Sequence, residues 1–135
     1  MVTHAELRGF ILTLCAEEEY DPNEGVWTFR SGGSCSRCTD SALKVVREFG
    51  GRIVGYYASD NPTAAIGEPH CEGHDFAIVA NRFLVDYWAY RIAGIAERPV
   101  FDMSDSDECA RMKVLYGSRK AWAEVQVEEG KRHRG

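Results

Sequence analysis

The chain has 135 residues, of which 44% are hydrophobic and 11% aromatic, which is enough apolar material for one packed core. The formal net charge of −5 argues against nucleic acid as the main partner, because nucleic-acid-binding domains usually carry a basic patch. No run of residues is long and apolar enough to cross a bilayer, so we expect no membrane partner. The sequence predicts a single α+β domain over residues 1–135, in which residues 128–135 form a frayed tail.

The five cysteines are an odd number, and a chain of this length can bury a core without disulfides. We therefore expect reduced thiols and a cytoplasmic protein, or one that is secreted without a cleaved signal peptide. The short apolar run at residues 9–16 is followed by three consecutive glutamates. Such a run is typical of an amphipathic helix rather than of a signal peptide.

The predicted elements alternate between helices and short strands. Thr3 and Glu6 form a capping box that begins a first helix, which ends near Tyr20, and a turn at 21–25 leads to an extended piece at 26–29. The second helix runs from Cys35 or Ser36 to Phe49 and ends at two glycines. The later predictions are a strand at 53–57, a loop at 59–69, an antiparallel hairpin of 74–79 with 83–88 around Asn81-Arg82, and an ambiguous stretch at 90–96. They end with a helix that is capped by Ser104 or Asp105, runs through Leu115 and is stopped by Gly117, and with a strand at 121–127.

The residues that could carry chemistry are a cysteine at a helix start and a histidine and an aspartate on the predicted hairpin. Cys38 lies in the first turn of the second helix, where the helix dipole favours a thiolate. His74 begins one strand and Asp86 ends the next, so the carboxylate could hold an imidazole that activates the thiol. A two-residue turn at Asn81-Arg82 would leave His74 roughly 10 Å beyond the position opposite Asp86, and on the other face. A slipped register or a bulge is therefore needed to bring the two together.

The segment Cys38-Thr39-Asp40-Ser41-Ala42 resembles the cysteine motif of transglutaminase-like, papain-fold proteins. Gly73-His74-Asp75-Phe76 and Leu84-Val85-Asp86-Tyr87-Trp88 are similar to the histidine and aspartate strands of that family. The resemblance covers roughly residues 34–88. It implies a papain-like α+β core, in which the nucleophile helix packs on a small antiparallel sheet. It also implies that Cys38 is the nucleophile, His74 the general base and acid, and Asp86 the orienting carboxylate.

This reading predicts hydrolysis or transfer at an amide or thioester of a protein or peptide substrate, through an acyl-enzyme on Cys38 and with no cofactor. The oxyanion would be bound by the Cys38 backbone N–H and by the preceding loop, where Ser34, Cys35 and Trp27 are the candidate oxyanion and substrate residues. Deamidases, peptidases, transglutaminases and acyltransferases share this chemistry. By analogy, a compact cytoplasmic version would suit a bacterial toxin or effector. Asp75, next to the histidine, is expected to be a solvated charge.

Two other functions fit the same cysteines. Cys35-x-x-Cys38 and Cys71-x-x-His74 together have the spacing of a structural zinc site, with His70 as a further ligand, which would make the chain a binding module. The Cys35 and Cys38 pair at a helix start also resembles a thioredoxin-like redox site. Against these alternatives, small zinc modules rarely contain a long apolar helix between their ligand pairs, and the chain does not begin with a convincing βαβ unit.

Overall fold

The computed structural model describes residues 1–68, 71–128 and 131–134 and has an α+β fold. The elements are α1 (His4–Ala16), β1 (Glu18–Asp21), β2 (Val26–Phe29), α2 (Cys38–Phe49), β3 (Arg52–Tyr57), β4 (Gly73–Val79), β5 (Phe83–Val85), a π-helix (Trp88–Ile92), β6 (Val100–Asp102), α3 (Ser106–Tyr116), β7 (Ala123–Glu128) and β8 (Lys131–Arg134). A five-stranded antiparallel sheet of order β6-β5-β4-β3-β7 lies beside the two-stranded hairpin of β1 and β2, and β8 pairs with residues 125–128 of β7. In the part of the chain described, no helix has the length and apolar character needed to cross a membrane.

The large sheet is covered on both faces, which explains why its central strands are almost wholly buried. On one face, α1 and α2 pack with Ala77 and Val79 of β4. On the other face, α3 packs with Phe76 and Ile78. Because successive residues of a strand point to opposite faces, neighbouring residues of β4 contact different layers of the protein.

The first helix begins as predicted but ends earlier. Thr3 Oγ1 accepts a hydrogen bond from the Glu6 backbone N–H at 3.2 Å, which confirms the predicted cap. The helix ends at Ala16 rather than near Tyr20, since residues 18–21 pair with β2 instead. Three successive glutamates at a helix C-terminus oppose the helix dipole, which disfavours a longer helix.

The hairpin of β4 and β5 differs by one residue from the predicted register. Val85 pairs with Ala77, whereas a two-residue turn would have placed Asp86 opposite Ala77. The turn therefore contains three residues, 80–82, of which the first two have positive φ angles of 56° and 51°. The slip leaves Asp86 and His74 on the same face of the sheet and two positions apart instead of three.

The C-terminal part of the chain also departs from expectation. Lys131–Arg134 form β8, which is antiparallel to β7, where a frayed tail was predicted. Residues 129, 130 and 135 lie outside the described part. The predicted strand at 121–127 corresponds to β7, and Asp105 caps α3 as predicted by accepting the Asp107 backbone N–H at 2.9 Å. The ambiguous stretch at 90–96 overlaps the π-helix.

Candidate active site

Cys38 is the first residue of α2. Arg37 takes the N-cap position in an extended conformation, so the helix begins at the cysteine rather than at Cys35 or Ser36. The backbone N–H of Asp75 on β4 donates a hydrogen bond to Cys38 Sγ at 3.4 Å. This hydrogen bond holds the sulfur between the start of α2 and β4.

His74 and Asp86 form a buried pair at the centre of the site. His74 Nε2 lies 2.5 Å from Asp86 Oδ2, and the two residues are 0% and 3% exposed. Asp86 also accepts hydrogen bonds from the Tyr116 hydroxyl at 2.9 Å and from the Ala89 backbone N–H at 3.0 Å. Three donors therefore fix the orientation of the carboxylate that holds the imidazole.

The electrostatics of the site favour a cationic imidazole. Burial works to lower the pKa of His74, but the charge and hydrogen bond of Asp86 outweigh it and, together with the nearby Cys38 thiol, raise the pKa to about 10. The other ring nitrogen, Nδ1, is buried and has no hydrogen-bond partner among the described residues. Because Asp86 occupies Nε2, Nδ1 is the nitrogen that remains to exchange a proton with the thiol.

Aromatic rings surround the imidazole and link it to the loop that precedes α2. The ring centroids of Trp88 and Tyr116 lie 5.0 and 6.0 Å from that of His74. Trp88 Nε1 donates to the Ser36 carbonyl at 2.9 Å, so the ring that covers the histidine also anchors the loop. Burial, and then the charge of Asp86, raises the pKa of Tyr116 well above its ordinary value, so its hydroxyl remains a donor to the carboxylate.

Asp75 contradicts the expectation of a solvated charge, because it is fully buried. Its Oδ2 accepts a hydrogen bond from Thr39 Oγ1 at 2.6 Å, which ties β4 to the first turn of α2. Gly55 pairs with Asp75 on the neighbouring strand. A Cβ atom at Gly55 would lie 2.0 Å from Asp75 Oδ1 and 2.7 Å from the His74 carbonyl oxygen. The glycine therefore provides the space that the buried carboxylate needs.

The loop before α2 offers fewer oxyanion donors than the sequence suggested. The Ser34 backbone N–H donates to an Asp40 carboxylate oxygen at 2.9 Å, and the Cys35 N–H donates to the Trp27 carbonyl at 3.0 Å. Both backbone donors are thus already in use. The Cys38 N–H forms no hydrogen bond with any described residue, so it is the donor that remains for an oxyanion.

Three of the other four cysteines are poor candidates for the nucleophile. Burial raises the pKa of Cys15, Cys35 and Cys71, so these thiols are protonated at neutral pH. All five cysteines are free thiols, so Cys35 and Cys38 form no disulfide. Within the described ranges no three His, Cys, Asp or Glu side chains are grouped to hold a metal ion. The four predicted zinc ligands are therefore not assembled as one site, and His70 lies outside the described residues.

The structure brings Cys38, His74 and Asp86 together from α2, β4 and the end of β5. Sequence reasoning missed Tyr116, because nothing in its local sequence marks it as a partner of Asp86. Trp88 was noticed only as part of the aspartate segment. Comparisons of the chain with models of protein families, with curated proteins and with solved structures found no match.

Proposed function

We propose that this protein is a cysteine-dependent acyl-transfer enzyme with a papain-like core, which hydrolyses or transfers at an amide or thioester of a protein or peptide. The observation that carries the proposal is the buried His74–Asp86 pair beside a thiol at the start of α2. Burying a charged pair costs several kcal/mol of desolvation, about what its mutual attraction returns, so well-packed apolar side chains in its place would give similar or greater stability. A strongly raised histidine pKa next to a thiol is characteristic of a functional site.

In the proposed reaction, Cys38 Sγ attacks the carbonyl carbon of the substrate as a thiolate and forms a C–S bond. The Cys38 backbone N–H stabilises the resulting oxyanion. The bond between the carbonyl carbon and the leaving nitrogen or sulfur then breaks. His74 Nδ1 supplies the proton that the leaving group needs.

The acyl-enzyme is then released by a second nucleophile. Water or an amine attacks the acyl carbon and transfers its proton to His74 Nδ1. The C–S bond breaks and returns Cys38 as a thiolate beside a cationic imidazole. Asp86 holds the ring and stabilises the imidazolium throughout, without itself taking the proton.

A generic activated ester tests the proposal without knowledge of the natural substrate. p-Nitrophenyl acetate should acetylate Cys38 and release p-nitrophenolate in a burst, and mass spectrometry of peptides locates the acetyl group. Iodoacetamide at neutral pH should also label Cys38 before Cys35 or Cys71. Cys38→Ser should abolish the burst, whereas Cys109→Ser should keep it. If the burst survives Cys38→Ser, or if another cysteine is labelled first, the proposed nucleophile is wrong.

A further inference from the structure

A groove of about 480 Å³ lies beside the loop that leads into α2. Val26 and Trp27 of β2 and Ile92 of the π-helix contribute its apolar lining. Glu18, Arg91 and Ser36 contribute polar atoms. The groove is thus formed by the β1–β2 hairpin on one side and by the segment after Asp86 on the other.

The groove lies next to the loop that carries the proposed nucleophile. Ser36, which lines it, lies two residues before Cys38. The Ser36 carbonyl accepts the Trp88 indole N–H at 2.9 Å, and that indole packs on His74. A substrate whose carbonyl lies at Cys38 would therefore pass next to the groove.

The apolar side chains of the groove are unusually accessible. Trp27 is 53%, Ile92 42% and Val26 37% exposed. Tyr20, which is 52% exposed, packs edge-on against Trp27 with 5.6 Å between ring centroids. A cluster of exposed aromatic and branched side chains is a typical feature of binding surfaces, where aromatic residues supply much of the binding energy.

The hairpin beside the groove is rich in carboxylates. Within the groove, Arg91 forms a two-pronged ion pair with Glu18 at 2.8 and 3.0 Å, so its charge is already balanced. Residues 17–24 contain five carboxylates. Glu18 pairs with Arg91 and Glu19 with Arg30, and Glu17 lies near Lys44 and Arg30. Among the described residues, Asp21 and Glu24 are thus the carboxylates of this stretch that form no ion pair with a cation. The hairpin therefore presents a negative rim, which attracts basic groups.

We propose that this groove is a specificity subsite for a peptide, which takes a bulky apolar side chain with a lysine or arginine beside it. This inference rests on the proposed function, since it assumes that the acyl group is transferred to Cys38. The apolar side chain would contact Trp27 and Ile92, and the basic side chain would lie along the acidic hairpin.

Peptidyl chloromethyl ketones test this subsite, because Cys38 Sγ forms a bond to the methylene carbon and chloride leaves. The probes carry leucine, alanine or aspartate at the second position from the ketone, and lysine or glutamate at the third. The rate of Cys38 labelling is measured by intact mass, beside the rate with iodoacetamide. We expect the probe with lysine and leucine to react roughly tenfold or more faster than the probes with lysine and either alanine or aspartate. A single apolar contact commonly gives a difference in rate of this size.

Variants locate the preference in the groove. Trp27→Ala and Ile92→Ser should each remove most of the preference for leucine, expressed as the ratio of the labelling rates with the leucine and alanine probes. Val114→Ser, on α3 and 66% exposed in the parent, is the matched control and should change neither rate. Glu24→Lys should reduce the preference for lysine over glutamate. Equal labelling by all probes, or a leucine preference that survives both groove variants, would overturn the subsite. Failure of iodoacetamide to select Cys38 would instead refute the proposed function.

Discussion

Replacing Asp86 by asparagine tests how the imidazole is held. In the native protein, Asp86 oxygens accept hydrogen bonds from His74 Nε2, the Tyr116 hydroxyl and the Ala89 backbone N–H. An asparagine has a single acceptor oxygen and one NH₂ group. If its oxygen keeps the bond to Ala89, its NH₂ group faces two groups that also donate. The imidazole must then move its proton to Nδ1 or lose its partner.

The expected effect follows from the contribution of the carboxylate to the site. The charge and hydrogen bond of Asp86 are the largest causes that raise the pKa of His74, so Asp86→Asn should remove most of the increase. We expect acylation of Cys38 at pH 7 to fall by about two to four orders of magnitude, as when other triads lose their carboxylate. Removing one partner of a buried pair costs about 3 kcal/mol, which lowers the Tm of a domain of this size by roughly 10 °C.

Acetylation by p-nitrophenyl acetate and thermal unfolding are measured on the same samples from pH 6 to pH 10. Since the folded pKa of His74 is raised to about 10, the pair contributes stability that is fully present below the unfolded value of about 6.5. That contribution is lost as the pH rises towards 10, so the native Tm should fall over this range more than that of Asp86→Asn. Asp60→Asn, at an exposed aspartate, is the control. An Asp86→Asn variant that melts normally and is acylated at the native rate would refute this reasoning.

Three further predictions concern the surroundings of the site. Tyr116→Phe removes one hydrogen-bond donor to Asp86 and should lower the free energy of unfolding by about 1 kcal/mol. It should also lower the acetylation rate, but by a smaller factor than Asp86→Asn; an unchanged Tm and rate would contradict this. Cys71→Ser should leave the fold intact, and a chelator should not change the Tm of the native protein. Unfolding by the substitution or by the chelator, or one equivalent of bound zinc, would favour the zinc-binding module instead. Gly55→Ala should be strongly destabilising because the added Cβ would overlap a buried carboxylate oxygen. Gly9→Ala in α1, where there is open space around the glycine, is the control and should be neutral or stabilising by up to about 1 kcal/mol. Equal Tm values for the two variants would contradict the overlap.

Signals that act over a few residues predicted much of the fold. Thr3 and Asp105 cap their helices as expected because the side chain and the backbone N–H groups that it binds are within three residues. Gly50 ends α2, where its positive φ of 79° suits glycine. These elements were enough to place Cys38 at a helix start and His74 on a strand.

The register of the hairpin was less predictable, because it depends on an unusual turn. Ala80 adopts a positive φ, which few alanines do, and no glycine marks the position. The partners Tyr116 and Asp75 were missed for a different reason. Tyr116 donates a hydrogen bond to Asp86 from 30 residues further along the chain. Asp75 can be buried because Thr39 donates a hydrogen bond to it and Gly55 leaves space for its carboxylate. Such contacts leave no periodic pattern in the sequence.

The pair His74 and Asp75 shows how one strand can organise the whole site. The His74 ring packs beside Tyr116 of α3, on the face of the sheet that α3 covers. The Asp75 side chain instead accepts a hydrogen bond from Thr39 at the start of α2. Two adjacent positions of β4 therefore fix the imidazole and the start of α2 from opposite faces. A one-residue shift of β4 would exchange the two side chains and break both arrangements together. The close approach of Gly55 to Asp75 opposes such a shift, so the packing that holds the fold also keeps the thiol next to the imidazole.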